Sequence, residues 1–182
     1  MFYLVQKPLG IGSNLVAKIL KRVLKVPKIG FAGTLDPLAT GLMIIGTHGS
    51  PRLFPLLDTY TKTYTTTIRL DGTTSSYDLE QPIEKVPLDE QIIHTLNIPL
   101  IESVIRKHFS GEILQSPPLY SATWIGGQRS YDLARKGNHT GIIEPKKRTI
   151  HTFRIVNYSW PRLVCEMEVS HGTYIRSIAR DL

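Results

Sequence analysis

Two stretches of this chain alternate apolar and polar residues with a period of two, and that pattern constrains its fold more than any other feature. Between Thr63 and Leu70, Tyr64, Thr66, Ile68 and Leu70 share one face while Thr65, Thr67 and Arg69 share the other; between Arg162 and Ser170, Leu163, Cys165, Met167 and Val169 line one face. Side chains that repeat every second residue require the pleat of a half-buried strand. Further strands are predicted over Phe2–Lys7, closed by the turn residues Pro8 and Gly10, and over Arg148–Tyr158. Helical spacing lies between them. Leu15, Val16, Ile19, Leu20, Val23 and Leu24 form one stripe behind Ser13, a residue able to cap the first-turn amides, and Pro27 ends the helix. Shorter helices are predicted over Leu88–Leu96 and Leu100–Phe109, a helical turn over Tyr131–Lys136, and a last helix from Gly172 with Ile175, Ile178 and Leu182 on one side. Gly30–Gly41 reads as an irregular loop before the apolar run Leu42–Ile45, and Gly111–Arg129 as a long loop with extended pieces. With no internal repeat and no linker, residues 1–182 are expected to form a single α+β domain, its sheet largely antiparallel and hairpin-rich.

A chain of 182 residues can bury a core without metal or disulfide staples. Its single cysteine, Cys165, excludes an internal disulfide and any Cys-x-x-Cys motif, and no two histidines stand four residues apart, so no metal is expected. The longest aliphatic run is too short to span a bilayer, and the N-terminus lacks the apolar core of a secretory signal. The expectation is a cytoplasmic protein with no membrane partner.

The net charge is +7, unevenly placed. Six lysines or arginines and no acid lie between Met1 and Leu35, whereas Asp71–Glu102 holds seven acids against Lys85 alone. A polyanion partner is plausible on this count, although solvated lysine faces produce the same number.

Most local chemistries fail on spacing. The glycines around Gly10 and Gly30 are followed by no Gly-Lys-Ser/Thr and open no Gly-x-Gly-x-x-Gly helix, so turn geometry explains them. There is no Gly-x-Ser-x-Gly elbow, Cys165 sits on an apolar strand face, and His171 is a lone histidine at a strand end. Asp36 is different. It is the first carboxylate in the chain, set in a Gly/Pro-shaped loop behind an acid-free cationic stretch, the setting a carboxylate nucleophile for an anionic substrate needs. From physics alone, a turn initiator is the better reading of Asp36-Pro37, and the spacing by itself does not overturn it.

The run Ile29-Gly30-Phe31-Ala32-Gly33-Thr34-Leu35-Asp36-Pro37-Leu38-Ala39-Thr40-Gly41-Leu42 resembles the catalytic loop of the TruB family of tRNA pseudouridine synthases. Four further groups follow the family's order: Lys7-Pro8-Leu9-Gly10; Lys62-Thr63-Tyr64; Pro117-Pro118-Leu119-Tyr120-Ser121-Ala122 with Tyr131-Asp132-Leu133-Ala134-Arg135-Lys136-Gly137; and Gly172-Thr173-Tyr174-Ile175-Arg176. The resemblance implies the pseudouridine synthase fold, a mainly antiparallel mixed sheet flanked by helices. It implies an isomerase that converts uridine to pseudouridine at T-loop position 55 of tRNA, gripping the T-arm and elbow, as a monomer with no cofactor or metal.

On that resemblance Asp36 is the nucleophile, Arg176 pairs with it, and Tyr64 stacks on the target uracil and serves proton transfer at C5; Tyr174 lines the pocket. Covalent-adduct and glycal routes both fit these residues. Phe31 stands where the family commonly has histidine and would wedge into the stack left by the flipped base; Trp124 stands where lysine is usual. Lys7, Lys18, Arg129, Arg135, Lys146, Lys147 and Arg148 are candidates for backbone-phosphate contact. The family continues past Leu182 with more catalytic domain and, in many members, a PUA domain. Two other classes fit parts of the sequence: a module that binds and refolds tRNA without catalysis, and a nucleoside hydrolase or glycosylase, which the lack of a second carboxylate near Asp36 disfavours.

Overall fold

A computed structural model describes residues 1–57, 59–121, 123–125, 127–131 and 144–182. The chain divides into two compact units, Met1–Tyr60 and Thr61–Leu182. Both mix helices with sheet, as the α+β reading requires, and every strand pairing among the described residues is antiparallel.

In the first unit β1 (Phe2–Lys7), β2 (Ile29–Ala32) and β3 (Gly41–Thr47) form a sheet in the order β1-β3-β2. One face packs Met43 and Ile45 against Val16 of α1 (Ser13–Val23), with Tyr3, Val5, Leu20, Ile29 and Phe31 around them. Gly30–Ala32, expected as the start of an irregular loop, belong instead to strand β2. Its glycine is there for close approach: Gly30 lies opposite Gly46, and the 3-10 helix Ser50–Leu57 crosses both. A Cβ at Gly46 would fall 2.8 Å from the Phe54 ring, and one at Gly30 would fall 3.2 Å from Pro51. The loop proper is therefore confined to residues 33–40.

The second unit is built on β4 (Lys62–Arg69), β7 (Gly111–Gln115), β10 (Lys146–Ser159) and β11 (Arg162–Val169), ordered β4-β11-β10-β7. The alternation read from the sequence is what buries them. Leu163, Cys165, Met167 and Val169 are fully buried, each hydrophobic side chain contributing about 1.5–3 kcal/mol by leaving water. Ile101 and Ile105 of α3 (Ile98–His108), Phe109, and Ile178 of α4 (Ile175–Asp181) close this core. Asn97 caps α3 by accepting from the Leu100 amide, so that helix starts before Pro99, whose missing N–H is harmless in a first turn. Asp89 caps the short α2 (Glu90–Thr95) in the same way. Two-residue ribbons pair β5 (Gly72–Thr73) with β6 (Glu84–Lys85) and β8 (Trp124–Ile125) with β9 (Gln128–Arg129). Gly111–Gln115, one of the extended pieces expected within the long loop, is strand β7, paired with β10 from Lys146 to Ile150. The helical turn predicted over Tyr131–Lys136 lies mostly outside the described residues.

Candidate active site

The Asp36 loop is clamped from two sides within the first unit. Lys7 ends β1 and turns its side chain inward, where it is fully buried. Its ammonium donates to the carbonyls of Pro8 (2.8 Å), Ile11 (2.6 Å) and Pro37 (3.2 Å), which uses all three of its protons. The Gly10 amide donates to the same Pro37 carbonyl at 2.8 Å. Burial pushes the Lys7 pKa below that of an ordinary lysine, and the Asp36 charge opposes that shift. Lys7 is thus a cation beneath the loop, and the expected contact with RNA phosphate is corrected: a buried ammonium with three carbonyl partners cannot reach a backbone in solvent.

Ser13 makes the second clamp. Its hydroxyl accepts from the Leu35 amide and donates to the Leu35 carbonyl, both at 2.9 Å. The capping role read for Ser13 is therefore replaced; Gly12 is the N-cap and no side chain caps α1. With Leu35 and Pro37 both fixed, and the Ala39 amide bonded to the Asp36 carbonyl at 3.0 Å, Asp36 has little backbone freedom at the loop's crest. Gly33, with φ of 75°, supplies the left-handed turn that starts the loop. Phe31 precedes it on β2, half-buried against the Ile45 cluster, so much of its ring is already engaged in packing.

In the second unit Arg176 and Tyr174 are brought together at the start of α4. The Arg176 guanidinium donates to the carbonyls of Ser76 and Tyr120, both at 2.9 Å, and lies 3.5 Å from the Asp78 carboxylate. Asp78 is held in turn by the Ser76 hydroxyl (2.6 Å) and the Glu80 amide (3.0 Å), while the Thr74 hydroxyl bridges its backbone. The residue between, Tyr77, has φ of 58°, a left-handed conformation that non-glycine residues seldom adopt.

Tyr174 is fixed through Gln115, which is buried. Gln115 accepts from the Tyr174 amide at 2.8 Å and donates to its carbonyl at 3.1 Å, and the Tyr174 hydroxyl meets that of Thr123 at 3.2 Å. Just upstream, Arg148 donates to the Gly172 carbonyl at 2.9 Å; a Cβ at Gly172, whose φ is 75°, would come within 3.0 Å of that guanidinium. Lys147 pairs with Glu112 at 2.9 Å on the surface. Tyr64 projects from β4, in register with Met167, and packs half-buried against the core. Asp36 and Phe31 belong to the first unit; Tyr64, Tyr174 and Arg176 belong to the second. Arg135 lies outside the described residues.

Three supporting residues escape the sequence reading. Ser13 carries a capping signal that its structure does not use. Asp78 is hidden among the acids of the middle segment, yet the hydroxyl-rich run Thr73-Thr74-Ser75-Ser76 before it is the composition of side-chain-stabilised turns. Gln115 has no signal beyond its place before two prolines. Among the described residues no cluster of three or more His, Cys, Asp or Glu side chains is placed to hold a metal, and no helix is long and apolar enough to cross a membrane.

Residues 21–175 match the family model described as TruB family pseudouridylate synthase (N terminal domain). Curated relatives include tRNA pseudouridine synthase B of Bacteroides fragilis, 42% identical over 85% of this chain and 64% of that protein, and that of Sulfurimonas denitrificans, 39% identical over 97% and 62%. The Prochlorococcus marinus protein of the same name is 37% identical over 100% of this chain and 56% of its own length. The chain thus spans a little over half the length of these relatives. Among solved structures, a Cbf5-Nop10-Gar1 complex superposes with a TM-score of 0.65 at 25% identity, over 99% of this chain and 42% of that one. An H/ACA RNP bound to a substrate RNA containing 2'-deoxyuridine superposes with a TM-score of 0.61 at 22% identity, over 99% and 41%. The fold is that of the pseudouridine synthases, and the chain belongs to the TruB family of pseudouridylate synthases.

Proposed function

We propose that this protein isomerises uridine to pseudouridine in the T-loop of tRNA, with Asp36 as the nucleophile, and that residues 1–182 belong to one synthase catalytic domain acting in the cytoplasm without metal or cofactor. The observation that carries the reading is the double clamp on the Asp36 loop: a buried ammonium under Pro37 and a buried hydroxyl across Leu35. A loop that only turned the chain would need neither. A carboxylate held in one place beside a fixed positive charge is suited to act on a ribosyl centre in each turnover.

In this reading the C1′–N1 bond of the uridine breaks, the uracil rotates while still bound, and a C1′–C5 bond forms. The C5 proton leaves and N1 gains one, so the reaction is an isomerisation with no net loss of atoms. Asp36 acts on the ribose or the base at the first step. Arg176 is given the role that the family resemblance implies, orienting the reacting carboxylate, a task for which a planar guanidinium suits better than an ammonium. Tyr64 stacks on the uracil and assists removal of the C5 proton, Tyr174 lines the pocket, and the exposed part of Phe31 fills the stack vacated by the base. The relatives' shared name, tRNA pseudouridine synthase B, supports tRNA as the substrate class.

The test is release of tritium from an unmodified T-arm transcript labelled at uridine C5. Wild type is expected to release it without free uracil, and Asp36→Asn to release none. Turnover by Asp36→Asn would remove Asp36 from the nucleophile role, and free uracil would turn the reading into a glycosylase.

A further inference from the structure

The first helix carries a feature the reaction does not use. At about 100° per residue, Lys18, Lys21 and Arg22 fall within one arc of roughly 100°, beside the arc of buried Ser13, Val16 and Ala17 and half-buried Leu20. All three cations are exposed, as is Lys25 just past the helix end, and among the described residues none of the four is in an ion pair. Like charges three and four residues apart repel, so the arrangement weakens the helix. The helix dipole offsets part of this for Lys21 and Arg22 in the last turn but not for Lys18.

Lys25 breaks a second local rule. The Val26 amide bonds to the Lys21 carbonyl and the Lys25 amide to the Arg22 carbonyl, both at 3.3 Å, which is the Schellman closure of a helix C-terminus. That closure puts Lys25 in the left-handed region at φ of 50°, where glycine is favoured. The chain thus keeps a cation where a neutral glycine would give a more stable helix end. Placement supplies the purpose. Ser13, at the start of the helix, is bonded to Leu35 of the Asp36 loop. At about 1.5 Å per residue the cations stand roughly 7 to 18 Å along the helix from that anchor.

We infer that the Lys18–Lys25 face of α1 is an RNA-backbone site that grips phosphates of the segment flanking the nucleotide held at Asp36. This rests on the reading that the substrate is RNA. The face reads charge and not sequence, so its contribution is salt-dependent and indifferent to base identity.

The experiment compares binding of the T-arm transcript across a salt series for the full 182-residue wild type, the variant Lys18→Gln/Lys21→Gln/Arg22→Gln, and the single variant Lys25→Gly. The triple variant is expected to lower the slope of log affinity against log salt by about 0.7–0.9 for each phosphate it no longer grips and to raise Kd at least about 10-fold at 0.1 M salt, with the kinetic loss in KM and not in kcat. Lys25→Gly is expected to melt at a higher temperature than wild type and yet bind RNA more weakly, a combination that no loss of folding produces. Neutralising Arg106 and Lys107 on α3 is expected to leave the slope alone. Equal slopes for wild type and the triple variant, an equal drop in the α3 control, or no RNA binding by wild type would each overturn the inference. So would loss of binding to phosphatidylserine vesicles in the triple variant with the RNA slope intact, which would make the face a membrane site. Tritium release by wild type with equal slopes defeats this inference alone; shifted slopes without tritium release from wild type defeat the proposed reaction alone.

Discussion

Arg176 and Asp78 face each other at 3.5 Å with side chains only 12% and 13% exposed, and Asp78 Oδ2 has no hydrogen-bond donor among the described residues. The charge of the guanidinium is what holds that oxygen. Asp78→Asn keeps an acceptor for Ser76 and Glu80 but removes the charge and can turn an amide N–H toward the Arg176 N–H groups. A stability loss of about 1–3 kcal/mol is expected, together with a fall in kcat of about 100-fold in the protein that remains folded. Arg176→Lys keeps the charge but has no fork to reach both Ser76 and Tyr120, and is expected to lose kcat to a similar degree. Chemical denaturation alongside single-turnover kinetics checks both; full kcat in Arg176→Lys would show that the fork is dispensable.

Lys7 is expected to behave as a positioning residue. Lys7→Met fills the same space but leaves the Pro8 and Ile11 carbonyls without their donor, at about 1–3 kcal/mol for each that water cannot reach, while the Pro37 carbonyl keeps only the Gly10 amide. The folded fraction is expected to bind RNA with the wild-type salt slope while kcat falls at least about 10-fold. A shallower slope would return Lys7 to the phosphate-contacting role that its sequence suggests.

The contrast between Lys7 and Cys165 shows which parts of the structure are legible in the sequence. Period-two alternation places Cys165 in the core, because a strand's burial is a local property of its own residues. Lysines usually lie at the surface, which is where the sequence alone puts Lys7; its inward turn depends on three carbonyls, one of them thirty residues away. Ser13 misleads in the same way: a capping signal is local, whereas its bonds to Leu35 are long-range. Gly30 reads as turn geometry in a loop when its role is to admit Pro51 and Phe54, a fact held in the fold and not in the neighbouring sequence. Motif resemblance reaches Asp36, Tyr64, Tyr174 and Arg176; it does not reach Asp78 and Gln115, the residues that fix Arg176 and Tyr174.

Asp71 sets a measurable acid dependence. Arg69 donates two hydrogen bonds to it, at 2.9 and 2.5 Å, and these hold its carboxyl below the usual range. A carboxylate with a depressed folded pKa adds stability above its unfolded pKa of about 3.9 and loses it as the pH falls through the lower folded value. Asp71→Asn is therefore expected to be less stable than wild type at neutral pH, by under about 1 kcal/mol because the pair is partly exposed. The difference should shrink below about pH 4. Urea melts of both proteins from pH 3 to 7 check this; a gap that stays constant to pH 3 would show that packing and not charge is responsible.

Cys165 offers a probe of the second unit's integrity. It lies on β11 between Thr66 and Ile155, fully buried, and burial pushes its thiol up to about 11. At pH 8 only about one molecule in a thousand carries the thiolate, and that sulfur is out of reach of reagent. The native protein is expected to resist a disulfide reagent such as DTNB at pH 8 and to react with one equivalent once unfolded in guanidinium. Labelling should follow the opening of the sheet and not the chemistry of the thiol, so its rate should level off as reagent is raised. Native-state labelling faster than the unfolding rate measured separately by denaturant-jump kinetics would mean that β11 is reached without unfolding, contrary to the core described for this unit. Cys165→Ser, which places a hydroxyl among Met167, Ile155 and their neighbours, is expected to cost about 1–3 kcal/mol, while Cys165→Ala creates only a small cavity and should cost less.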